Sequence, residues 1–352
     1  MTDPKERLQA LQDALETRIL VLDGAMGTML HREELTAADG PALDGCVEYL
    51  VKSRPEAVLA VHRAYLKAGS DIIETNSFGG TRIVLSEFGL QDQVGYFNSQ
   101  AARLARQAAD EFSTAGKPRW VAGSMGPTTK VISVGGGITF EQLRDAYYDQ
   151  AKALVEGGVD ILLLETCNDT RAVKAGLLAI AQLKRELGPD IPIMVSGTIE
   201  ATGTMLAGQP AEAFWTSIAH ADLLSVGLNC ATGPEFMTDH LRTLSELAST
   251  RVSCYPNAGL PNEQLKYDET PESLAAQLEK FVAHGWLNLV GGCCGTTDAH
   301  IRAIAQMADG KKPRVPKSRS HRAYYAGIEL VEAEDSNRPL IVGERTNVIG
   351  SR

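Results

Sequence analysis

The sequence predicts an α/β fold in which eight strand–helix units close into a (βα)8 barrel, the TIM barrel. A short apolar run followed by a longer stretch of helical periodicity recurs eight times along the chain. The runs are apolar almost throughout, which is typical of parallel strands covered by helices on both faces of a sheet. An open, doubly wound parallel sheet is the structural alternative.

The expected elements follow one another at regular intervals. The strands are predicted at 19–23, 71–75, 120–124, 160–165, 192–197, 223–228, 251–255 and 287–291. An additional amphipathic helix is predicted at 4–17, ahead of the first strand. Capping residues, prolines and glycines bound the helices that follow the strands, at 55–68, 94–115, 140–156, 169–187, 210–220, 234–249, 271–284 and 298–308.

The composition changes after Gly310, so the barrel domain is expected to span residues 1–310. Residues 311–337 begin with lysines, arginines and prolines without an apolar period, which indicates a linker. Residues 338–352 contain the run Leu-Ile-Val and are expected to form a ninth strand. A strand with no helix after it predicts that a further domain follows in a longer protein.

Composition argues against several classes of partner. The formal net charge is −10, and no basic stripe is interleaved with aromatic residues, so a nucleic-acid interface is not expected. No run of eighteen apolar residues is present, and the charged N-terminus lacks the features of a signal peptide. Six cysteines, two of them adjacent, do not suggest a disulfide framework, so the cytoplasm is the expected compartment.

Polar residues lie at the carboxyl ends of most of the predicted strands, which is where the active sites of (βα)8 barrels are found. In strand order they include Asp23-Gly24-Ala25, Glu74-Thr75-Asn76, Ser124, Glu165-Thr166, Asn229-Cys230, Asn257 and Cys293-Cys294.

The adjacent pair Cys293-Cys294, set between glycines, indicates a metal site. Neighbouring cysteines have poor geometry for a mutual disulfide, whereas two thiolates at a strand end can bind one soft metal ion. Cys230, at the end of another strand, supplies a third ligand. Three cysteines with one coordination position open are typical of a catalytic zinc ion. The oxygen of Asn257, or a water, is expected in that position before substrate binds.

The three other cysteines, Cys46, Cys167 and Cys254, are interpreted as packing residues. Unlike the other two, Cys167 follows a strand end on the same rim.

A zinc ion with three thiolates favours a thiol substrate. It can hold a fourth sulfur as a thiolate at neutral pH, where a free thiol of pKa ~8.5 is mostly protonated. The expected reaction is alkylation of that thiol. Asp23 and Glu165 would suit the ammonium of an amino acid, and amides of the loops at 24–27 and 123–126 would suit its carboxylate. These features favour an amino-acid thiol.

Four motifs, at 23–28, 74–78, 227–230 and 291–295, together resemble the homocysteine S-methyltransferase family over roughly residues 8–310. The resemblance implies that Cys230, Cys293 and Cys294 bind zinc. It also implies that Asp23 and Glu165 bind the ammonium of homocysteine. The remaining expected substrate residues are Gly24, Ala25, Thr75, Asn76, Ser124 and Asn229.

Two further motifs, at 255–261 and 343–347, resemble the cobalamin-dependent methionine synthases, in which a folate barrel follows the homocysteine barrel. This resemblance implies that a zinc-bound homocysteine thiolate attacks the methyl group of methylcobalamin, giving methionine and cob(I)alamin. Methylcobalamin would be bound by a module outside this chain. The implied partners are homocysteine and the folate and cobalamin domains of a parent chain.

Two other functions remain open at this stage. One is a self-sufficient methyltransferase that uses betaine or S-methylmethionine; the proline-bearing linker and the ninth strand argue against it. The other is a structural zinc domain that docks partners. A structural site would be closed by four ligands, and the sequence offers no convincing fourth thiolate or histidine.

Overall fold

A barrel of eight parallel strands forms the centre of the molecule and confirms the predicted (βα)8 fold. The computed structural model describes residues 3–32, 35–132, 137–188, 190–264, 267–319 and 322–339. From β2 to β8 each strand pairs with the next in sequence, and β8 pairs with β1. The strands are β1 Leu20–Val21, β2 Ile72–Glu74, β3 Trp120–Met125, β4 Ile161–Cys167, β5 Ile193–Gly197, β6 Ser225–Asn229, β7 Arg251–Tyr255 and β8 Leu289–Val290.

The seam between β1 and β2 is closed by individual hydrogen bonds and not by a regular ladder; one of them runs from the amide of Val21 to Oδ2 of Asp71 at 3.0 Å. The amide of Asp71 donates to the carbonyl oxygen of Val21 at 2.7 Å. Further along, the amide of Glu74 donates to Oδ2 of Asp23 at 3.0 Å. A side-chain oxygen therefore takes the place of a backbone carbonyl at the mouth of the barrel.

The predicted helices are confirmed, with ends within a few residues of those expected. They are α1 Pro4–Thr17, α2 Met26–Leu30, α3 Leu50–Ser53, α4 Pro55–Ala68, α5 Arg82–Leu85, α6 Val94–Phe112, α7 Phe140–Gly157, α8 Thr170–Leu187, α9 Ala211–Ile218, α10 Pro234–Leu247, α11 Pro271–Ala283 and α12 Asp298–Ala308. The short helices α2, α3 and α5 were not predicted. None of the helices in the described ranges is long and apolar enough to cross a membrane.

The N-terminal helix α1 closes the lower end of the barrel. Leu11 and Leu15 pack with the apolar side chains that fill the barrel interior, among them Trp120. The indole nitrogen of Trp120 donates to the carbonyl oxygen of Arg7 at 2.9 Å. The lower end is therefore sealed, and the open mouth lies at the carboxyl ends of the strands.

The strand register determines which side chains point into the mouth. Ile72, Ala122, Leu163 and Met194 belong to the interior layer, and neighbouring strands pair Leu163 with Met194. Because side chains alternate between the two faces of a strand, the residues two positions later also face inward. These are Glu74, Ser124, Glu165 and Ser196. The upper layer of the barrel is therefore polar.

The segment predicted as a linker is partly ordered against the barrel. Arg314 is buried, and its guanidinium donates to the carbonyl oxygens of Ser245, Ala248 and Thr250. The chain then forms a two-stranded antiparallel hairpin, β9 Tyr324–Ala326 and β10 Leu330–Glu332, beside α9. The assignment of 311–337 as a linker between domains stays a prediction. Most of the expected strand in 338–352 lies outside the described residues, which end at Pro339.

Replacing Arg314 with methionine is expected to lower the free energy of unfolding by about 2 kcal/mol, because three buried carbonyl oxygens lose a charged donor. Chemical denaturation would measure the loss. Lys317→Met is the matched control, since Lys317 is exposed in the same segment, and it should change stability by less than about 0.5 kcal/mol. Equal stability of the two variants would show that Arg314 does not anchor the segment.

Candidate metal and substrate site

The structure brings Cys230, Cys293 and Cys294 together at the mouth of the barrel. The Cys294 sulfur lies 3.9 Å from that of Cys230 and 4.0 Å from that of Cys293, and all three sulfurs lie within 4.8 Å of one another. Four sulfurs arranged tetrahedrally around zinc at ~2.3 Å would be ~3.8 Å apart. The cluster therefore fits a zinc ion with three protein ligands. No other such group of potential ligands is found in the described ranges.

Strained backbone presents Cys230 to the cluster. Cys230 and Ala231 have φ angles of 58° and 55°, in the left-handed region that residues with a Cβ seldom adopt. The amide of Thr232 donates to the carbonyl oxygen of Cys230 at 2.6 Å and stabilises the turn. Such strain is often found at functional sites, where surrounding contacts maintain it.

The loop after β7 holds the cysteine pair in place. The amide of Cys293 donates to the carbonyl oxygen of Pro256 at 2.7 Å. The amide of Cys294 donates to Oδ1 of Asn257 at 3.1 Å. Asn257 thus binds the backbone of a predicted ligand through the same oxygen that was expected to occupy the open metal position. Its role as a fourth ligand stays a prediction.

Hydrogen bonds of Thr296 join the loop that contains Cys293 and Cys294 to the loop after β1. Its hydroxyl donates to the carbonyl oxygen of Cys293 at 2.6 Å and accepts from the amide of Ala25 at 3.2 Å. A Cβ on Gly24 would lie 2.8 Å from the Thr296 hydroxyl oxygen, and one on Gly292 would lie 2.6 Å from the same oxygen. Glycine is therefore required on both sides of this contact, which places Gly24 and Ala25 beside the cysteines.

Asp23 and Glu165 are buried carboxylates with little compensating positive charge. One oxygen of Asp23 accepts from the Glu74 amide, while the other, Oδ1, is buried and has no partner among the described residues. Burial raises the pKa of Asp23 well above the usual range, and the nearby charge of Glu165 raises it further. Glu165 accepts a short hydrogen bond from the Ser124 hydroxyl, and burial raises its pKa to about 7. A bound ammonium would supply the missing charge.

The side chains of Thr75 and Asn76 form hydrogen bonds that stabilise the loop after β2. The Thr75 hydroxyl accepts from the amide of Ser124 at 3.0 Å and shares a hydrogen bond with the Ser77 hydroxyl at 2.5 Å. The amide of the Asn76 side chain donates to the carbonyl oxygen of Val47 at 2.9 Å. Both side chains are buried. Their contact with substrate stays a prediction. Thr75 helps to fix the position of Ser124, and Asn76 joins the loop after β2 to the segment at Val47.

Asn229 likewise makes its hydrogen bonds within the protein. Its Oδ1 accepts from the amide of Thr166 at 3.0 Å and from the hydroxyl of Ser196 at 2.7 Å, and its Nδ2 donates to the Thr166 hydroxyl at 2.8 Å. Thr166 follows Glu165 and has a left-handed φ of 53°. Asn229 therefore stabilises a strained turn beside Glu165. Its predicted contact with substrate is not tested by these bonds.

Comparison with known proteins identifies the family. The family model described as homocysteine S-methyltransferase matches residues 20–308. The chain belongs to the homocysteine S-methyltransferase family. The resemblance found in the motifs at 23–28, 74–78, 227–230 and 291–295 is thereby confirmed.

Two solved structures of another homocysteine methyltransferase, MmuM from Escherichia coli, show the same fold. The metallated form is 24% identical to this chain with a TM-score of 0.69, and the match covers 85% of this chain and 99% of MmuM. The apo form is 25% identical with a TM-score of 0.65, covering 86% and 99%. The match thus spans nearly the whole length of MmuM.

Two residues of this family member were assigned no role from the sequence. Glu74 was placed at a strand end, and its inward direction follows from the two-residue period after Ile72. Tyr267 lies in the loop between β7 and α11, where no periodicity marks it. A Cβ on Gly295 would lie 2.3 Å from the Tyr267 ring, so the ring packs directly on that glycine.

The Tyr267 hydroxyl also takes part in the cysteine cluster. Hydrogen bonds from Cys230 and Cys293, with a smaller contribution from the Tyr267 hydroxyl, together lower the pKa of Cys294 to about 3. Tyr267 therefore borders the three-cysteine cluster of this homocysteine S-methyltransferase.

Cys46, Cys167 and Cys254 lie in the hydrophobic core, consistent with their interpretation as packing residues. Burial raises the pKa of Cys254 to about 12, and its sulfur packs 3.9 Å from that of Met237. Cys167 is buried, and burial also raises its pKa. The described cluster of potential metal ligands includes none of the three.

Proposed function

We propose that this homocysteine S-methyltransferase binds homocysteine with its sulfur at the three-cysteine cluster and its ammonium at the buried carboxylates, and that the methyl donor is methylcobalamin. The observation that carries the proposal is the spacing of 3.9 and 4.0 Å between cysteine sulfurs, which matches three ligands of one zinc ion. The zinc, when bound, would stabilise the substrate sulfur as a thiolate at neutral pH.

The residues of the chain would orient the substrate around that sulfur. Asp23 Oδ1 is free to accept a hydrogen bond from the ammonium, and Glu165 lies near enough to Cys230 for their charges to interact. Amides of the loop after β1 would bind the carboxylate. Recognition of both the ammonium and the carboxylate would select homocysteine over simple thiols. It would also direct the homocysteine sulfur toward the open side of the cysteine cluster.

The choice of methylcobalamin as donor is supported by the motifs at 255–261 and 343–347, which resemble the cobalamin-dependent methionine synthases. On this proposal the chain works with folate and cobalamin domains of a parent protein, and its product is methionine. All six cysteines are free, which fits a cytoplasmic enzyme.

Isothermal titration calorimetry of zinc-loaded protein would test thiolate formation. Homocysteine binding near neutral pH is expected to release about one proton, because the free thiol is protonated and the bound sulfur is not. The apparent enthalpy should then depend on the ionisation enthalpy of the buffer. Homoserine, with a hydroxyl in place of the thiol, is the control ligand and should release no proton. An enthalpy independent of buffer would contradict thiolate formation.

A transfer assay with added methylcobalamin would test the donor. Methionine is expected from homocysteine and methylcobalamin. Methionine formed only from betaine or S-methylmethionine would replace the donor in the proposal with a sulfonium or quaternary ammonium compound. A tightly bound zinc ion without any methyl transfer or homocysteine binding would favour the structural zinc domain.

A further inference from the structure

We infer that Glu74 is a third carboxylate of the amino-acid site, and that it positions the substrate ammonium together with Asp23 and Glu165. The inference rests on the proposed function and extends it to a residue that neither the motifs nor the cysteine geometry assigned.

Glu74 faces the same space as the two carboxylates already described. It is the last residue of β2, two positions after Ile72 of the barrel interior, and it pairs in register with Ala122 of the interior layer. Its backbone amide donates to Asp23, so the two residues are in direct contact across the seam. The side chain of Glu74 is half-buried and points into the mouth of the barrel.

No positive side chain compensates this group of carboxylates. In the described part of the chain, no lysine, arginine or histidine forms an ion pair with Asp23, Glu74 or Glu165, and no hydrogen bond to the Glu74 carboxylate is observed. Burial raises the pKa of Glu74, and the charges of Glu165 and Asp23 raise it further. The three groups therefore repel one another when ionised.

The lower end of the same barrel is built differently. There the carboxylate of Asp71 pairs with Arg18 at 2.7 Å and with Arg119 at 3.3 Å. Asp160 likewise pairs with Arg7 and Arg106. These two buried carboxylates at the lower end thus have cations from the protein itself. The carboxylates at the mouth do not, which indicates that their cation comes from the ligand.

One unpartnered atom at the mouth also points to a ligand. Asp23 is only 3% exposed, yet its Oδ1 has no hydrogen-bond partner among the described residues. Buried polar atoms are nearly always satisfied in folded proteins. A primary ammonium, with three N–H donors, matches the acceptors that this pocket presents.

Glu74→Gln, measured by calorimetry and thermal unfolding of the zinc-loaded protein, tests the inference. The variant keeps the shape of the side chain and removes its charge. Homocysteine affinity is expected to fall roughly tenfold, as for loss of one charge-assisted hydrogen bond. Affinity for 4-mercaptobutyrate, which is homocysteine without its ammonium, should be unchanged. The Tm of the ligand-free variant should rise, because a source of repulsion is removed.

Asp71→Asn is the control for stability. Asp71 is a buried carboxylate that pairs with Arg18 and Arg119. It therefore has cations from the protein, and removal of its charge is expected to lower the Tm. A higher Tm for Glu74→Gln and a lower Tm for the control would distinguish a carboxylate that binds the ligand from one that stabilises the fold.

Several outcomes would overturn the inference. Unchanged homocysteine affinity in Glu74→Gln would do so, as would an equal loss for both thiols, which would make Glu74 a general support of the loop. If Glu74→Gln does not fold, Glu74→Asp withdraws the charge by one methylene and should show the same selective loss for homocysteine; no selective loss there would also overturn the inference. Failure of the unaltered protein to bind homocysteine would instead refute the proposed function.

Discussion

Replacing Cys294 with alanine is expected to remove the metal and abolish alkylation of homocysteine while the barrel stays folded. Cys294 contributes one of three clustered sulfurs, and two protein ligands would hold zinc much more weakly than three. The residue follows β8 on a loop and is only half-buried, so its side chain contributes little to the core. Metal analysis, a methyl-transfer assay and circular dichroism would measure the three effects separately.

Cys254→Ala provides the matched control. Cys254 is fully buried, lies outside the cluster and packs against Met237. Its replacement should leave the metal content unchanged and lower the free energy of unfolding by about 1 kcal/mol, since a small cavity is created. Full metal occupancy with normal activity in Cys294→Ala would show that the cysteine cluster is not the metal site.

Asp23→Asn and Glu165→Gln are each expected to weaken homocysteine binding by about 1.5–3 kcal/mol, because each removes a charge-assisted hydrogen bond to the ammonium. Asparagine can still accept the Glu74 amide through its side-chain oxygen, so the seam between β1 and β2 should survive. Binding of 4-mercaptobutyrate should be nearly unaffected in both variants. An equal loss for the two ligands would mean that these carboxylates only support the site.

The same pair of ligands gives a pH test of Glu165. Burial raises the pKa of this carboxyl to about 7, so below that pH it is protonated and cannot attract the ammonium. The affinity of homocysteine relative to 4-mercaptobutyrate is therefore expected to increase as the pH rises through about 7. The ionisation of the thiol is common to both ligands and cancels in the ratio. In Glu165→Gln this increase should be much smaller.

The regular elements of the barrel were predictable because each leaves a local pattern. Apolar runs located all eight strands, and the period of Leu11 and Leu15 located the helix that closes the lower end. The hairpin formed by β9 and β10 left no such pattern, since its apolar side chains are half-exposed or exposed; Tyr325, for example, is 54% exposed. The role of Arg314 leaves no local pattern either, because the carbonyl oxygens that it binds belong to residues far away in the sequence.

The three-cysteine cluster could be predicted because its residues are rare and form an unusual sequence motif. Adjacent cysteines between glycines are uncommon, and barrel topology brings Cys230 beside them. The supporting contacts depend on three-dimensional neighbours: Asn229 binds the turn at Thr166, and Tyr267 packs on Gly295. No sequence period marks either contact. The inward direction of the Glu74 side chain follows from its two-residue spacing to Ile72, because Ile72 faces the barrel interior.

The two carboxylate oxygens of Asp23 differ in their contacts: one accepts a hydrogen bond that closes the barrel, and the other has no partner among the described residues. Through Oδ2, Asp23 joins the first strand to the second, where the circular sheet lacks an ordinary ladder. Through Oδ1 it faces the space in which the amino acid is proposed to bind. On the proposed function, substrate binding at the mouth and closure of the sheet between β1 and β2 would therefore be coupled. The two strands cannot separate at this point without moving the carboxylate that is proposed to bind the ammonium, and a bound substrate would hold the strands together.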